Sequence, residues 1–225
     1  MTQSPRPFTQ QPPPEAFISA DYARLVRRSE ATGMISEEQA ETLILAPETT
    51  NLNRLIDQLN RHGIAQSHRW MLTEPNGASQ VTAGSVQTSS LDQIDYEIFW
   101  KRLVDAVAES PVPEAEWKSV RELFEDDAQV AQLLGISVQS VGRYTRGDRP
   151  TPHPVGERLH ALMMLASDLR GSYNRRGVRR WFFRPRVQLN EQTPQQVLGS
   201  DWSPESEGYR QIRTLADQEL NFQAT

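Results

Sequence analysis

The chain has 225 residues, enough for one sizeable domain or two small ones, and no apolar run approaches the roughly 18 residues needed to span a bilayer. With no cysteine, disulfides, zinc–thiolate sites and cysteine nucleophiles are excluded, and the composition fits a soluble protein of a reducing cytoplasm. The net charge of −5 argues against nucleic acid over the whole chain, but residues 129–186 carry eleven Arg against three acids, whereas residues 91–128 carry four basic and eleven acidic groups.

The first 15 residues, MTQSPRPFTQQPPPE, lack the basic and apolar regions of a secretory signal, and their Pro and Gln content predicts a disordered tail. Residues 16–72 read as a small helical domain. An amphipathic run from Pro14 to Gly33 offers Phe17, Tyr22 and Leu25 as buried candidates, with Gly33 as its stop. Ser36 is placed to cap a second helix, and Leu52, Leu55, Ile56 and Leu59 stand at helical spacing in a third that ends at Gly63. Residues 73–91 are rich in Gly, Ser and Thr with almost no large apolar groups, so a flexible linker and the domain boundary are expected there.

The second unit, residues 92–171, begins with a helix whose stripe is read as Ile94, Ile98, Leu103 and Val107. The next should face Trp117, Val120, Leu123 and Phe124 inward. In VAQLLGISVQSVGRYTRGDRP, Val130 to Pro150, the apolar residues Val130, Leu133 and Leu134 fall on one helical face, and Gly135 can stop that helix by adopting positive φ. Ser137 is a suitable N-cap for another helix, which buries Val138 or Val141 together with Tyr144. The small Ala131 lets the two helices cross closely, as a helix-turn-helix requires. Gln139, Ser140, Gly142, Arg143 and Arg146 remain on the outer side, and Gln and Arg can bond base edges bidentately in the major groove. A plain helical hairpin with a solvated Arg face is the competing reading. The surrounding Arg block, suited to phosphate and guanine, favours DNA. After it, a long helix carries the stripe Val155, Leu159, Leu162, Met163, Ala166 and Leu169, with the Met pair as core filling.

From Asp127 to Arg170 the chain resembles the lambda-repressor-like (Xre-type) helix-turn-helix domains, including an exit sequence, RYTRGDRP, with an inward aromatic and a turning Gly. The resemblance implies that Ser137, Val138, Gln139, Gly142, Arg143 and Arg146 lie at or beside groove-facing positions, and Arg149 follows them. From Gly177 the chain is similar to the C-terminal toxin-binding domain of Xre/MbcA/ParS-type antitoxins. The likeness rests on Arg179 or Arg180, Trp181, Pro185, Leu189, Thr193, Pro194, Val197 and Leu198. It departs where that family commonly has Gly-Gly before Thr-Pro, because Asn190 and Glu191 stand here, and in about 90 additional N-terminal residues. Residues 33–65 resemble region 1.1 of primary sigma factors, an acidic helical module that occupies the DNA channel of RNA polymerase; a generic protein-binding module is the alternative.

Trp181, Phe182 and Phe183 stand together between arginines. Because successive helical side chains point about 100° apart, at least one of them is expected on the surface. With Arg184 they form the candidate partner-binding group for residues 172–225; the alternative is Trp181 in the core with the two Phe closing a seam to the long helix. The four His show no zinc-like pairing, so His153 and His160 are expected as exposed or phosphate-adjacent imidazoles. No phosphate loop or nucleophile elbow appears, and the acids of ELFEDD read as solvation. The expectation is therefore an all-α protein, not an enzyme, with no cofactor and no metal. It would be a cytoplasmic homodimer that binds double-stranded DNA and a protein partner, either a toxin or RNA polymerase. Its function would be that of a sequence-specific regulator of antitoxin type, or alternatively of an interaction protein acting on the transcription machinery.

Overall fold

Capping chemistry carried by the sequence starts most of the helices. In the computed structural model, which describes residues 11–64, 96–124 and 126–222, the side chains of Ser19, Ser36, Asp126, Ser137, Asn174 and Thr193 each accept a backbone amide at a helix start. Ser36 with Gln39, and Thr193 with Gln196, form reciprocal capping boxes. Among the described residues there are eleven α-helices, two short 3-10 turns and one isolated antiparallel bridge, Arg186 to Gln192, so the fold is all-α. The expected linker at 73–91 lies outside the described residues, as do Ile94 and the first ten residues of the expected tail.

The N-terminal helices are α1 (Ala20–Ala31), α2 (Glu37–Leu45) and α3 (Thr49–Arg61). The run expected as one helix from Pro14 is instead a 3-10 turn, Pro14–Phe17, followed by α1, because Ser19 caps a new start by accepting from the Asp21 amide at 3.2 Å. Phe17 is consequently half-buried, edge-on to Tyr22 with ring centroids 5.2 Å apart. Residues 11–15, expected as tail, are also docked. Gln11 donates to the Pro47 carbonyl at 2.7 Å and accepts from the Thr49 amide at 2.7 Å. That amide opens α3, whose cap residue Glu48 supplies no side-chain bond, so a residue 38 positions earlier satisfies it.

Helix α4 (Tyr96–Ala108) buries Leu103 and Val107 of the expected stripe but not Ile98. Phe99, Trp100, Leu103, Val104 and Val107 are buried, while Ile98 is nearly half exposed. The larger aromatic surfaces decide the orientation: Trp100 lies 5.0 Å from the Tyr22 ring, and its indole N–H donates to the Ala16 carbonyl at 2.7 Å. One apolar core therefore joins Tyr22, Leu25, Leu52, Leu55 and Leu59 to α4 and to Met164. The helix expected to open the second unit packs on the first, so the proposed boundary does not coincide with a break in packing.

The second core is built from α5 (Pro113–Phe124), α6 (Asp127–Leu134), α7 (Val138–Thr145), α8 (His153–Leu169), α9 (Arg175–Phe182), α10 (Pro194–Leu198) and α11 (Glu207–Phe222). Trp117, Val120, Leu123 and Phe124 face inward as predicted, and so does the whole expected stripe of α8. Adjacent side chains on a helix diverge by about 100°, and α8 uses this: Met163 enters the second core and Met164 the first. Leu198, Trp202, Ile212 and Leu215 share the core of α5–α8, so α9, α10 and α11 pack onto those helices.

Ion pairs tie the two cores together. Asp168 on α8 receives Arg28 of α1 at 3.4 Å and Arg213 of α11 at 2.9 Å, and Arg28 also donates to the Val104 carbonyl at 3.2 Å. Glu30 of α1 receives Arg170 at 2.5 Å and Arg175 at 3.5 Å; Arg175 reaches Glu37 at 3.0 Å.

Candidate nucleic-acid interface

Helix α6 ends at Gly135, with φ 63° and ψ 38°, where the amides of Gly135 and Ile136 both return to the Ala131 carbonyl. The same glycine is closely covered: a Cβ there would lie 1.7 Å from the Ser200 carbonyl oxygen. The Trp202 indole donates to the Leu133 carbonyl at 2.7 Å, so the segment after α10 braces the turn from outside. Ser137 then caps α7 by accepting from the Ser140 amide at 3.1 Å.

Of the two valines that could have faced inward, Val141 is buried and Val138 is half exposed. Tyr144 is buried with its ring 5.6 Å from that of Trp117. These two anchors fix the rotation of α7 and leave Ser137, Val138, Gln139, Arg143, Arg146 and Arg149 exposed, with Ser140 and Gly142 half-buried. The Ser140 hydroxyl pairs with that of Ser137 at 2.9 Å and so belongs to the cap. Arg146 is held by Asp148 at 2.8 Å, and a Cβ at Gly142 would lie 3.1 Å from its guanidinium, so glycine leaves room for Arg146 along the helix. No described carboxylate lies within 4 Å of Arg143 or Arg149.

Ten of the eleven arginines of the block fall into two classes. Arg158 is buried, donating to the carbonyls of Pro154 at 3.2 Å and Ser200 at 3.1 Å. Arg170 and Arg175 serve Glu30 and Glu37. Arg186 reaches Glu219 at 2.8 Å while lying 5.2 Å over the Trp181 ring. These four hold the fold. Arg143, Arg146, Arg149, Arg176, Arg180 and Arg184 are exposed.

The partner-binding group is largely corrected by its packing. Trp181 and Phe182 are core residues: the Trp181 indole donates to Glu219 at 2.8 Å, and Phe182 stands edge-on to Phe124 at 5.6 Å. Two consecutive aromatics can both be buried because α9 contacts α5 on one side and α10 on another. Phe183 is half-buried against the same core, and Arg184 alone is fully on the surface.

His160 is likewise not the exposed imidazole expected. It is buried, with Nδ1 2.5 Å from the Glu116 carboxylate and Nε2 2.8 Å from the Ala108 carbonyl. Burial disfavours its charged form, but the hydrogen bond and charge of Glu116, with the Ala108 carbonyl, outweigh that and raise its pKa. His153 is exposed, 3.3 Å from Glu157. Asn190 and Glu191, the departure from the Gly-Gly of the antitoxin resemblance, both have positive φ, 54° and 62°. The backbone conformation that favours glycine is present with other residues in it.

Among the described residues no group of three or more His, Cys, Asp or Glu is arranged to hold a metal ion, and no helix is long and apolar enough to cross a membrane. No family model matches the chain, and no curated protein or solved structure matches it.

Proposed function

We propose that the chain is a sequence-specific regulator of transcription of the antitoxin (Xre) type, which reads double-stranded DNA with α7 and takes a protein partner elsewhere on its surface. The observation that carries this reading is the division of α7: Val141 and Tyr144 are buried, and Gln139 and Arg143 stand outward without a carboxylate partner among the described residues. A bidentate Arg or Gln contact to a base edge needs this freedom, and it is worth about 1–3 kcal/mol of discrimination. Gly135, Ser137 and the bracing segment at Ser200–Trp202 pre-orient the helix, which limits the ordering cost of docking.

Selection of bound fragments from random DNA tests this. A palindrome with half-sites about 10 base pairs apart is expected for a two-fold dimer; recovery of no preferred sequence overturns the reading. On the selected site Arg143→Ala is expected to cost about 1–3 kcal/mol and to relax preference at one base position. Uniform weakening on all sequences would remove Arg143 from base reading. A partner surface on the N-terminal helices is the second reading, favoured by Ile18 and Leu45, each 82% exposed. RNA polymerase subunits co-purifying with the full chain, and lost on Leu45→Glu, would support it.

A further inference from the structure

We infer that the exposed face of α9 is a second DNA contact, binding the sugar–phosphate backbone beside the site read by α7. This rests on the DNA-binding reading above and adds to it a flanking surface. Arg176 and Arg180 are four residues apart on α9, so they share one face about 6 Å apart along the axis. Arg184 follows two residues beyond the helix end, and all three are exposed. The opposite face is fixed in the core by Val178, Trp181 and Phe182.

Carboxylates neutralise the arginines at either end of this stretch, whereas Arg176, Arg180 and Arg184 have no such partner among the described residues. Arg175 is held by Glu30 and Glu37, and Arg186 by Glu219. No described carboxylate comes within 4 Å of Arg176, Arg180 or Arg184. Arg176 also lies in the first turn, where the helix dipole disfavours a cation. An anion on this face relieves both the mutual repulsion and the dipole term.

Position favours DNA as that anion. The end of α9 abuts the end of α5 through Phe182 and Phe124, and Phe124 is two residues before Asp126, the cap of α6. In a docked helix-turn-helix the first helix crosses the backbone while the second enters the groove. Arg180 and Arg184 therefore flank the end of the helix along which a strand would pass. Two of the acids there are engaged: Asp126 accepts from the Ala128 amide at 2.8 Å, and Asp127 pairs with Arg121 at 2.9 Å. The side chains offered are guanidinium groups, which match phosphate oxygens bidentately.

The test compares the full chain with Arg180→Ala/Arg184→Ala, after checking that both melt alike. Binding to the selected site with flanking DNA, and to random duplex, is measured across a salt series. The double variant is expected to weaken both duplexes equally and to make the slope of log K against log salt shallower by about 1.8, from about 0.9 per phosphate lost. An unchanged slope, with Arg143→Ala still relaxing base preference, overturns the flanking contact and leaves the reading by α7 intact. Absence of DNA binding by the parent chain overturns both. Poly-glutamate bound by the parent but not by the variant, at an unchanged DNA slope, assigns the face to an acidic protein and overturns the inference.

Discussion

Gly135 meets two requirements at once, and only one of them is visible locally. Its positive φ is readable from its place after Val130, Leu133 and Leu134, where a helix must stop before the Ser137 cap. The Ser200 carbonyl against its missing Cβ is a contact 65 positions away, and nothing near Gly135 announces it. An L-residue in the left-handed region costs about 1–2 kcal/mol, and here backbone must also move. Gly135→Ala is expected to lower stability by several kcal/mol, measured by urea unfolding; a cost below about 1 kcal/mol would show that the segment at Ser200 yields freely. Glu191 carries the opposite expectation. It already occupies φ 62°, so Glu191→Gly relieves a strained backbone and is expected to stabilise by about 0.5–1 kcal/mol, less the added freedom of the unfolded chain.

At the scale of elements, helix faces were legible where aliphatic side chains set them, as in α3 and α8, and in α5, where Trp117 and Phe124 fall on the same face as Val120 and Leu123. The α4 face was legible only in part: Leu103 and Val107 are buried, but Phe99 and Trp100 outweigh Ile98. The Arg block was legible as charge but not as partnership, because the acids that hold Arg170, Arg175 and Arg186 come from Glu30, Glu37 and Glu219. The same limit hid His160, whose partner Glu116 is 44 positions earlier on α5. This pair makes the α5–α8 contact pH-dependent. The His160 pKa is raised above its unfolded value of about 6.5. The charged pair therefore stabilises fully below that value, and its contribution is lost as pH rises through the folded pKa. The thermal midpoint is expected to fall across this window. Glu116→Gln should remove that dependence; a fall of the same size in Glu116→Gln would assign it to another group.

For the whole molecule, the decisive fact is that α1 packs on both α4 and α8. A sequence-based division at 73–91 suggests that a fragment from Asp92 to Thr225 could stand alone and bind DNA. The packing argues otherwise. Trp100 is buried against Phe17, Tyr22 and the Ala16 carbonyl, all absent from that fragment, and Phe99, edge-on to Trp100, is buried in the same core. Aromatic side chains bury about 150–250 Å² each, so this pair represents at most about 8–12 kcal/mol at roughly 25 cal/mol per Å². That is comparable to the whole net stability of a domain, about 5–15 kcal/mol. Removal of α1 also deprives Asp168 of Arg28, and Arg170 and Arg175 of Glu30. The second core itself, from Trp117 to Ala216, draws only Ala31 from α1–α3. The fragment is therefore expected to keep α5–α11 helical while α4 unfolds or drives aggregation, with a thermal midpoint well below that of the full chain. Under the proposed role, DNA affinity should drop accordingly, even though every proposed reading residue is retained. Circular dichroism melts of the fragment alone and with residues 11–64 added in trans check this: recovery of the midpoint on addition is expected. A fragment that melts like the full chain without help would show that the two cores are stable independently, and that α4 finds another partner.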